Sequence, residues 1–179
     1  GGQEKFIGRL DSLFIAESKI EGPLVSSDIS GLIGQYAHGN EPSHHIVHLY
    51  NYVNQSWKTQ QLIDTILHTQ YFNNPNGLSG NEDCGQMSAW YVLNAMGFYQ
   101  VCPGSPIYSV GRPIFDKVTI NLPNGKVFEI IANNNSLTNK YIQSIRLDNI
   151  LLESPFFMHS DIMKGGKIVM EMGNTPVKQ

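Results

Sequence analysis

The sequence is short of charge, of basic residues in particular, and of long apolar runs. Charged residues make up 15% of its 179 positions, against about 25% in typical soluble domains, and lysine and arginine together number 12, for a net charge of −3. Nucleic acids and anionic membrane surfaces are bound through clustered basic charge, so neither is expected as the main partner. No stretch approaches the roughly 20 uninterrupted apolar residues of a membrane span. These absences favour a soluble globular chain with a neutral, polar ligand.

Cysteine is equally scarce. Cys84 and Cys102 are too few and too far apart in sequence for a zinc cluster or a disulfide framework, and the sequence neither requires nor excludes a bond between them. The low charge is easier to explain if a larger structure covers much of the surface, which favours a piece of a bigger protein.

Residues 1–102 are predicted to be helical. Apolar side chains recur at spacings of three and four, the pattern of an amphipathic helix. The recurring residues are Phe6, Ile7, Leu10, Leu13 and Phe14, and then Ile46, Leu49, Tyr50 and Val53. A third helix is predicted over residues 57–71, with Ser56 as a candidate N-cap. A fourth, over residues 87–98, is apolar on nearly all sides, so it must be enclosed on most of them.

Residues 103–179 are predicted to be rich in strands, because Pro103 and Pro106 cannot continue a helix and strand patterns follow them. The clearest hairpin has arms over residues 118–122 and 127–131, joined by a Pro-Asn-Gly turn. Further strands are predicted over residues 142–147, 150–153 and 167–171. The sequence thus indicates an α+β fold: a helical segment, residues 1–102, followed by an antiparallel β segment, residues 103–179.

The loop of residues 39–45 places amide, carboxylate and imidazole side chains directly before a predicted helix. Loops in that position often carry functional sites. Asn40 and Glu41 are suited to two roles: capping the helix, or offering hard oxygen ligands to calcium, which collects six to eight such oxygens. The residues alone do not decide between these roles.

His44 and His48 are four residues apart, which is the ligand spacing of one group of zinc proteases. That motif needs a glutamate as general base directly after the first histidine, and here the position is His45. Zinc-dependent hydrolysis is therefore disfavoured. A hydrogen-bonded structural role remains an equal alternative for each histidine.

A second polar cluster, residues 77–90, crowds two carboxylates and two amides into a glycine-flanked turn before the fourth helix. Asp83, at its centre, could simply cap that helix, which explains one acid but not the density of polar groups around it. A carboxylate held at a helix start stays ionised through the helix dipole and backbone N–H groups. This state suits a residue that accepts a proton from water.

Three long stretches together resemble glycoside hydrolase family 92. They are YAHGNEPSHH at residues 36–45, GLSGNEDCGQMSAWY at residues 77–91 and AMGFYQVCPG at residues 95–104. The resemblance implies a calcium-dependent exo-α-mannosidase, often α-1,2-specific, built from an N-terminal β-sandwich and a C-terminal (α/α)6 barrel. This chain would supply the terminal helices of the barrel and a closing β segment. Export to the periplasm, the cell surface or the medium is also implied.

The resemblance implies roles for particular residues as well. Asp83 corresponds to the family's general base, and Asn40 and Glu41 fall where the family gathers ligands for a calcium ion that holds the O2 and O3 hydroxyls of mannose. We assign substrate binding to Asn81, Glu82, His44 and His45. Some members carry a second aspartate at the position of Asn81, so a mechanism that shares two carboxylates is not expected here.

The general acid of the family lies upstream of the residues present in this chain. Glu17 and Glu21 are available but match no motif, so the isolated chain is expected to have little activity. An alternative is a non-catalytic carbohydrate-binding or assembly module that stacks sugar on aromatic side chains. Those aromatics are Trp57, Tyr71, Trp90 and Tyr91. Their helical periodicity indicates that most of them belong to the core, which disfavours this alternative.

Overall fold

The computed structural model describes residues 1–22, 26 and 29–178. Four α-helices are present in this part of the chain, and two 3-10 segments precede the second of them. The α-helices are α1 (Gln3–Ile15), α2 (Ser56–Thr69), α3 (Gln86–Met96) and α4 (His159–Lys164); the 3-10 segments are Glu41–Ser43 and Ile46–Val53. The described residues contain no helix long and apolar enough to cross a membrane.

The four predicted helices are all found, and one of them has a different geometry. Ile46–Val53 is a 3-10 helix, in which every third residue lies on the same side. Its buried residues follow that period, because Val47, Tyr50 and Val53 form one row and His48 and Asn51 a second. The predicted N-cap of α2 is also displaced by one residue: α2 begins at Ser56 itself, and Gln55 occupies the cap without a side-chain capping bond.

Ten strands complete the described structure. Two short ones, β1 (Leu32–Ile33) and β2 (Tyr36–Ala37), form a ribbon before the first 3-10 segment. The others are β3 (Phe98–Tyr99), β4 (Ile107–Val110), β5 (Lys117–Asn121), β6 (Val127–Asn133), β7 (Tyr141–Leu147), β8 (Ile150–Leu151), β9 (Phe156–Met158) and β10 (Gly166–Gly173). The predicted hairpin is confirmed as β5 and β6, and the three further predicted strands are β7, β8 and β10.

The main sheet is mixed, so the expectation of a wholly antiparallel segment is wrong. Its strand order is β5-β6-β10-β7-β8. The hairpins β5-β6 and β7-β8 are antiparallel, and β10 inserts between them, antiparallel to β7 and parallel to β6. Since β6 and β7 run in opposite directions, a strand between them can be antiparallel to only one. The α+β class itself is confirmed.

The β-rich part has its own apolar core. Alternate residues of β6 and β10 point inward, as expected for a sheet with one buried face. The small sheet β3-β4-β9 adds Phe98, Val110 and Phe157 to the same core. Because β3 directly follows α3, this sheet joins the β-rich part to the helices that carry the two polar clusters.

A second connection between the helices and the β-rich part is electrostatic. The Arg112 guanidinium is almost fully buried, and its Nε lies 2.9 Å from Asp64 Oδ1 of α2, off the hydrogen-bonding direction, so the contact is an ion pair. Lys140 Nζ lies 3.1 Å from the other carboxylate oxygen. The remaining guanidinium nitrogens of Arg112 donate to the carbonyls of Pro113 and Ser136. Asp64 therefore ties α2 to two separate loops of the β-rich part.

Candidate functional site

The two polar loops predicted from the sequence lie against each other. A Cβ atom added to Gly80 would stand 2.2 Å from the Gly39 carbonyl oxygen, and one added to Gly39 would stand 2.7 Å from the Ser79 carbonyl oxygen. Neither distance is possible for a real side chain, so glycine is required at both positions for the backbones to touch. The fold thus brings the loop of residues 39–45 together with the loop of residues 77–86.

Asp83 lies in a turn with unusual backbone geometry. Asp83, Cys84 and Gly85 have φ angles of 50°, 56° and 97°, all in the left-handed region. Such a conformation costs a non-glycine residue about 1–3 kcal/mol, although aspartate tolerates it better than most. The turn is closed by the Gln86 N–H, which donates to the Asp83 carbonyl at 3.1 Å. The Asp83 side chain is exposed at the start of α3.

The Glu82 carboxylate caps the first turn of α3. The N-cap residue by position is Gly85, which has no side chain. The Glu82 carboxylate accepts hydrogen bonds from the backbone N–H and the hydroxyl of Ser88, at 3.2 and 3.0 Å. These bonds satisfy one of the free N–H groups in the first turn of α3. Both oxygens of Glu82 are therefore engaged within the chain.

His44 is buried, and both of its ring nitrogens are hydrogen-bonded. Nε2 lies 3.1 Å from the His38 carbonyl, which can only accept, so Nε2 carries the proton. Nδ1 then accepts from the Gln86 side-chain amide at 3.0 Å. Burial lowers the pKa of His44, whereas the bond to the His38 carbonyl and the charge of Asp83 act in the opposite direction. The Asp83 carboxylate is thus close enough to influence His44.

The other residues assigned to the sugar are more accessible. Asn81 is exposed on the second loop. His45 is also exposed, and it lines a shallow groove against α1 together with Arg9 and Leu13. His45 therefore points to a different surface from His44, although the two are neighbours in sequence. The roles of Asn81, Glu82, His44 and His45 in binding substrate stay predictions.

His38 is a central residue of the site that sequence reasoning missed. Tyr36 donates its hydroxyl proton to His38 Nδ1 at 2.9 Å, His38 Nε2 donates to Tyr71 at 2.7 Å, and Tyr71 donates to the Met87 carbonyl at 3.2 Å. Burial, helped by the nearby His44 ring, lowers the pKa of His38 to about 3. This neutral chain of hydrogen bonds connects the first loop to the first turn of α3.

Trp90 lies beneath both loops and is fully buried. Its indole N–H donates to the His44 carbonyl at 3.0 Å, and its ring stands edge-on to that of His38 with centroids 4.4 Å apart. The Tyr71 ring lies parallel to it, inclined by 3°. The expectation that Trp90 belongs to the core is confirmed, and Trp57, Tyr71 and Tyr91 are half-buried. Trp90 thus supports the site from below.

His48 is separated from His44 and faces the interior. Its Nε2 donates to Asn94 of α3 at 2.9 Å, and its Nδ1 accepts from Ser109 of β4 at 3.1 Å. Burial lowers the pKa of His48 to about 4. Because both nitrogens are occupied by protein partners, the zinc-protease arrangement suggested by the spacing of His44 and His48 does not form.

Asn40 and Glu41 are suited to a hard cation but could supply only part of its ligands. Asn40 is half-buried and Glu41 is exposed, at the start of the first 3-10 segment, and neither side chain bonds to another described residue. No group of three or more histidine, cysteine, aspartate or glutamate side chains able to hold a metal is found among the described residues. Calcium needs six to eight oxygens, so further ligands would have to come from outside this set.

Cys84 and Cys102 are both exposed, free thiols, which answers whether they pair. Cys84 belongs to the turn that carries Asp83, and Cys102 to the connection between β3 and β4. Neither is buried against the polar clusters, so no disulfide constrains the site.

Comparison with known proteins identifies the family of the chain. Residues 1–174 match the sequence profile of the glycosyl hydrolase family 92 catalytic domain. The match covers nearly the whole chain, including both loops, α3 and the β-rich part. The chain therefore belongs to glycosyl hydrolase family 92.

Solved structures of similar proteins share the fold. A family GH92 α-mannosidase from Bacteroides thetaiotaomicron, solved in complex with mannoimidazole, is 43% identical, with a TM-score of 0.92 over 98% of this chain. An inverting GH92 mannosidase from strain VPI-5482 of that species is 39% identical, with a TM-score of 0.82, again over 98% of this chain. The chain spans 23% and 25% of these two proteins.

A curated relative comes from a fungus. A protein of Arthroderma benhamiae described as an uncharacterized secreted glycosidase is 27% identical over 176 residues, which are 97% of this chain and 20% of the relative. All three relatives are thus four to five times as long as the chain.

Proposed function

We propose that this chain is the C-terminal part of the catalytic domain of an exo-acting α-mannosidase, and that the parent protein removes terminal α-linked mannose from glycans. The observation that carries the proposal is the 43% identity and TM-score of 0.92 to a GH92 α-mannosidase over 98% of the chain. In the proposed architecture, α2 and α3 are among the last helices of an (α/α)6 barrel, and the β-rich part closes the domain. An N-terminal β-sandwich and the rest of the barrel would complete the parent.

Asp83 is the proposed general base. In an inverting hydrolysis, the base takes a proton from water while the water oxygen bonds to the anomeric carbon and the glycosidic C–O bond breaks. An acid on the other side protonates the leaving oxygen. Asp83 is suited to the first task because it is exposed and lies at the N-terminal end of α3, where the helix dipole favours an ionised carboxylate.

The general acid is proposed to lie in the upstream part of the parent. Glu17 and Glu21 follow α1 as exposed side chains, and Glu21 forms an ion pair with Lys19. An acid that protonates a leaving group needs a raised pKa and a position some 6.5–9.5 Å from the base. Both glutamates are exposed and match no motif of the family, so the isolated chain is expected to be inactive.

A calcium ion is the proposed cofactor. Asn40 and Glu41 would contribute side-chain oxygens to it, together with ligands from the rest of the parent. When bound, the ion would hold two mannose hydroxyls and favour a distorted sugar ring. Asn81, Glu82, His44 and His45 are the proposed sugar-binding residues, of which Asn81 and His45 are already exposed.

Linkage and location complete the proposal. An α-1,2 linkage is proposed for the substrate, since that is the frequent preference that the resemblance implies. Export to the periplasm or the outside of the cell is proposed because the fungal relative is described as secreted. An exported enzyme would meet the glycans of other cells or of the medium.

The test uses the full-length parent and α-1,2-linked mannobiose. We expect release of mannose with a β-configured first product, followed by proton NMR before mutarotation, and loss of activity in a chelator with recovery on added calcium. A product of retained configuration would contradict the inverting mechanism. If the parent binds mannosides without cleaving any of them, the carbohydrate-binding module is the better explanation.

A further inference from the structure

We infer that Gln86 is a positioning residue that fixes the turn of Asp83 relative to the loop of residues 39–45. The inference rests on the proposed role of Asp83 as the base. Gln86 is the first residue of α3 and follows Asp83 by three positions. It makes contacts in two directions, through its backbone and through its side chain.

The backbone of Gln86 acts on the base directly. Its N–H donates to the Asp83 carbonyl at 3.1 Å and so closes the turn in which Asp83 and Cys84 adopt left-handed φ angles. A turn with two non-glycine residues in that region is strained, and strain persists only where the surroundings fix the conformation. The orientation of Asp83 therefore depends on how firmly Gln86 is held.

The side chain of Gln86 is held by two other elements. Its Nε2 donates one proton to His44 Nδ1 at 3.0 Å and the other to the Tyr99 hydroxyl at 3.1 Å. Both amide protons are thus used, and both acceptors belong to buried residues. Tyr99 lies in β3, so the amide anchors the start of α3 to the small sheet as well as to the first loop.

The bond to His44 reaches the proposed calcium ligands. His44 donates its backbone N–H to the Glu41 carbonyl at 3.0 Å, and its Nε2 is fixed on the His38 carbonyl. The Gln86 side chain therefore bonds across from the turn of Asp83 to the segment that carries Asn40 and Glu41. Its loss would loosen both loops and let the base move relative to the sugar site.

Such a displacement is expected to affect the chemical step more than binding. A misplacement of about 1 Å costs on the order of a hundredfold in rate when the geometry of attack is lost. A group that acts only in the transition state changes kcat, whereas a group that binds substrate in the ground state changes KM. Both amide protons of Gln86 are already used within the chain, so its effect should appear in kcat.

The experiment replaces Gln86 with methionine in the full-length parent, which keeps the length of the side chain and removes both donors. Gln143→Met is the matched control, because Gln143 Nε2 also donates two hydrogen bonds, to the carbonyls of Tyr141 and Thr175, but lies on β7. We expect kcat on α-1,2-mannobiose to fall about 10- to 100-fold in Q86M, with KM within about threefold, and no change in Q143M.

Hydrogen exchange measured by mass spectrometry gives a readout that does not depend on activity. We expect Q86M to exchange faster in peptides covering residues 77–86 and 39–45, and Q143M to leave both unchanged. If the parent is not a mannosidase, kcat is absent from every variant while the exchange result still decides the inference. Unchanged exchange in both loops, or a lower thermal midpoint with wild-type kcat in the folded enzyme, would overturn it.

A second variant covers the case in which Q86M does not fold. Tyr99→Phe removes one acceptor of the amide and keeps the ring in the core. We expect kcat to fall by roughly threefold to tenfold, with faster exchange confined to residues 77–86. Wild-type kcat and wild-type exchange in Y99F would overturn the inference.

Discussion

The helical part and the β-rich part of this chain bury different kinds of residue. In the described portion of residues 1–102, the buried polar side chains are His38, His44, His48, Asn51, Thr59, Gln60 and Asn94, whereas in that of residues 103–178 they are Ser109 and Arg112. The core of the β-rich part is otherwise made of aliphatic, aromatic and methionine side chains. Within the described residues, the buried polar side chains are thus concentrated in the helical part.

The two parts are therefore stabilised in different ways. An apolar core is non-directional and tolerates small shifts, so it suits a part that closes and supports the domain. A buried polar network is costly unless every member is bonded, but a fully bonded network specifies one geometry. The chain from Tyr36 through His38 to Tyr71, and the contacts of Gln86, are of this second kind. We expect conditions that disturb polar groups to affect the helical part first.

Lowering the pH should produce the largest difference in stability between the helical part and the β-rich part. Burial lowers the pKa of His38 to about 3 and of His48 to about 4, while in the unfolded chain each is near 6.5. Between these values the unfolded state binds more protons, so stability falls as the pH drops. Each histidine contributes at most about 1.4 kcal/mol per pH unit, and the unfolded histidines are only half protonated at about pH 6.5. The loss for the two between pH 6.5 and pH 5 is therefore about 3 kcal/mol.

Hydrogen exchange on the parent at pH 7 and pH 5, corrected for intrinsic exchange rates, checks this expectation. Protection should fall first in peptides from α2, α3 and the segment Ile46–Val53, and later in β6 and β10. The internal control is the β-rich part, whose described residues include one histidine, the exposed His159. Equal loss of protection in both parts would contradict the expectation that the helical part is the more sensitive to acid.

Removing the ionic junction between the two parts should have the next largest effect. Arg112→Met leaves Asp64 with Lys140 as its remaining close cation and takes the donors from the carbonyls of Pro113 and Ser136. Loss of one partner of a buried pair typically costs about 3 kcal/mol. We expect the calorimetric midpoint of the parent to fall by several degrees, and the exposed Arg146→Met to serve as a neutral control. Equal midpoints for R112M and R146M would contradict the junction.

A surface ion pair of the β-rich part should matter least. Lys117 and Glu129 pair across β5 and β6 with the lysine side chain more than half exposed. Exposed pairs contribute between zero and about 1 kcal/mol. Glu129→Gln should therefore shift the calorimetric midpoint by less than 1 °C. A larger shift would mean that this ion pair contributes more to the stability of the β-rich part than an exposed pair should.

Local patterns predicted β5, β6, β7, β8 and β10, but they predicted neither β4, β9 and α4 nor the pairing of β10. The hairpin of β5 and β6 is specified by alternation and by a turn between neighbours in sequence, so it could be read directly. The insertion of β10 between β6 and β7 pairs residues nearly forty positions apart, such as Gly166 with Phe128. The position of β10 depends on which strand edges the two hairpins leave unpaired. No local sequence pattern contains that information.

In the helical part, sequence located the loops but not their contacts. His38 lies inside one of the recognised stretches, yet its partner Tyr71 is 33 residues away, so spacing could not single it out. A period of about 3.6 would place His48 on the side of the helix opposite Ile46, Leu49 and Tyr50. The 3-10 period of three places His48 in line with Asn51 and buries both. Tertiary packing decided that geometry.

The most direct test of the account is the activity of the parent with Asp83 replaced by asparagine. Asp116→Asn is the matched control, since Asp116 is another exposed aspartate but lies in the β-rich part. We expect D83N to lower kcat/KM on α-1,2-mannobiose by about a thousandfold with an unchanged thermal midpoint, because a general base contributes factors of about 10² to 10⁴. Activity within a few fold of wild type in a folded D83N enzyme would remove Asp83 from the base role.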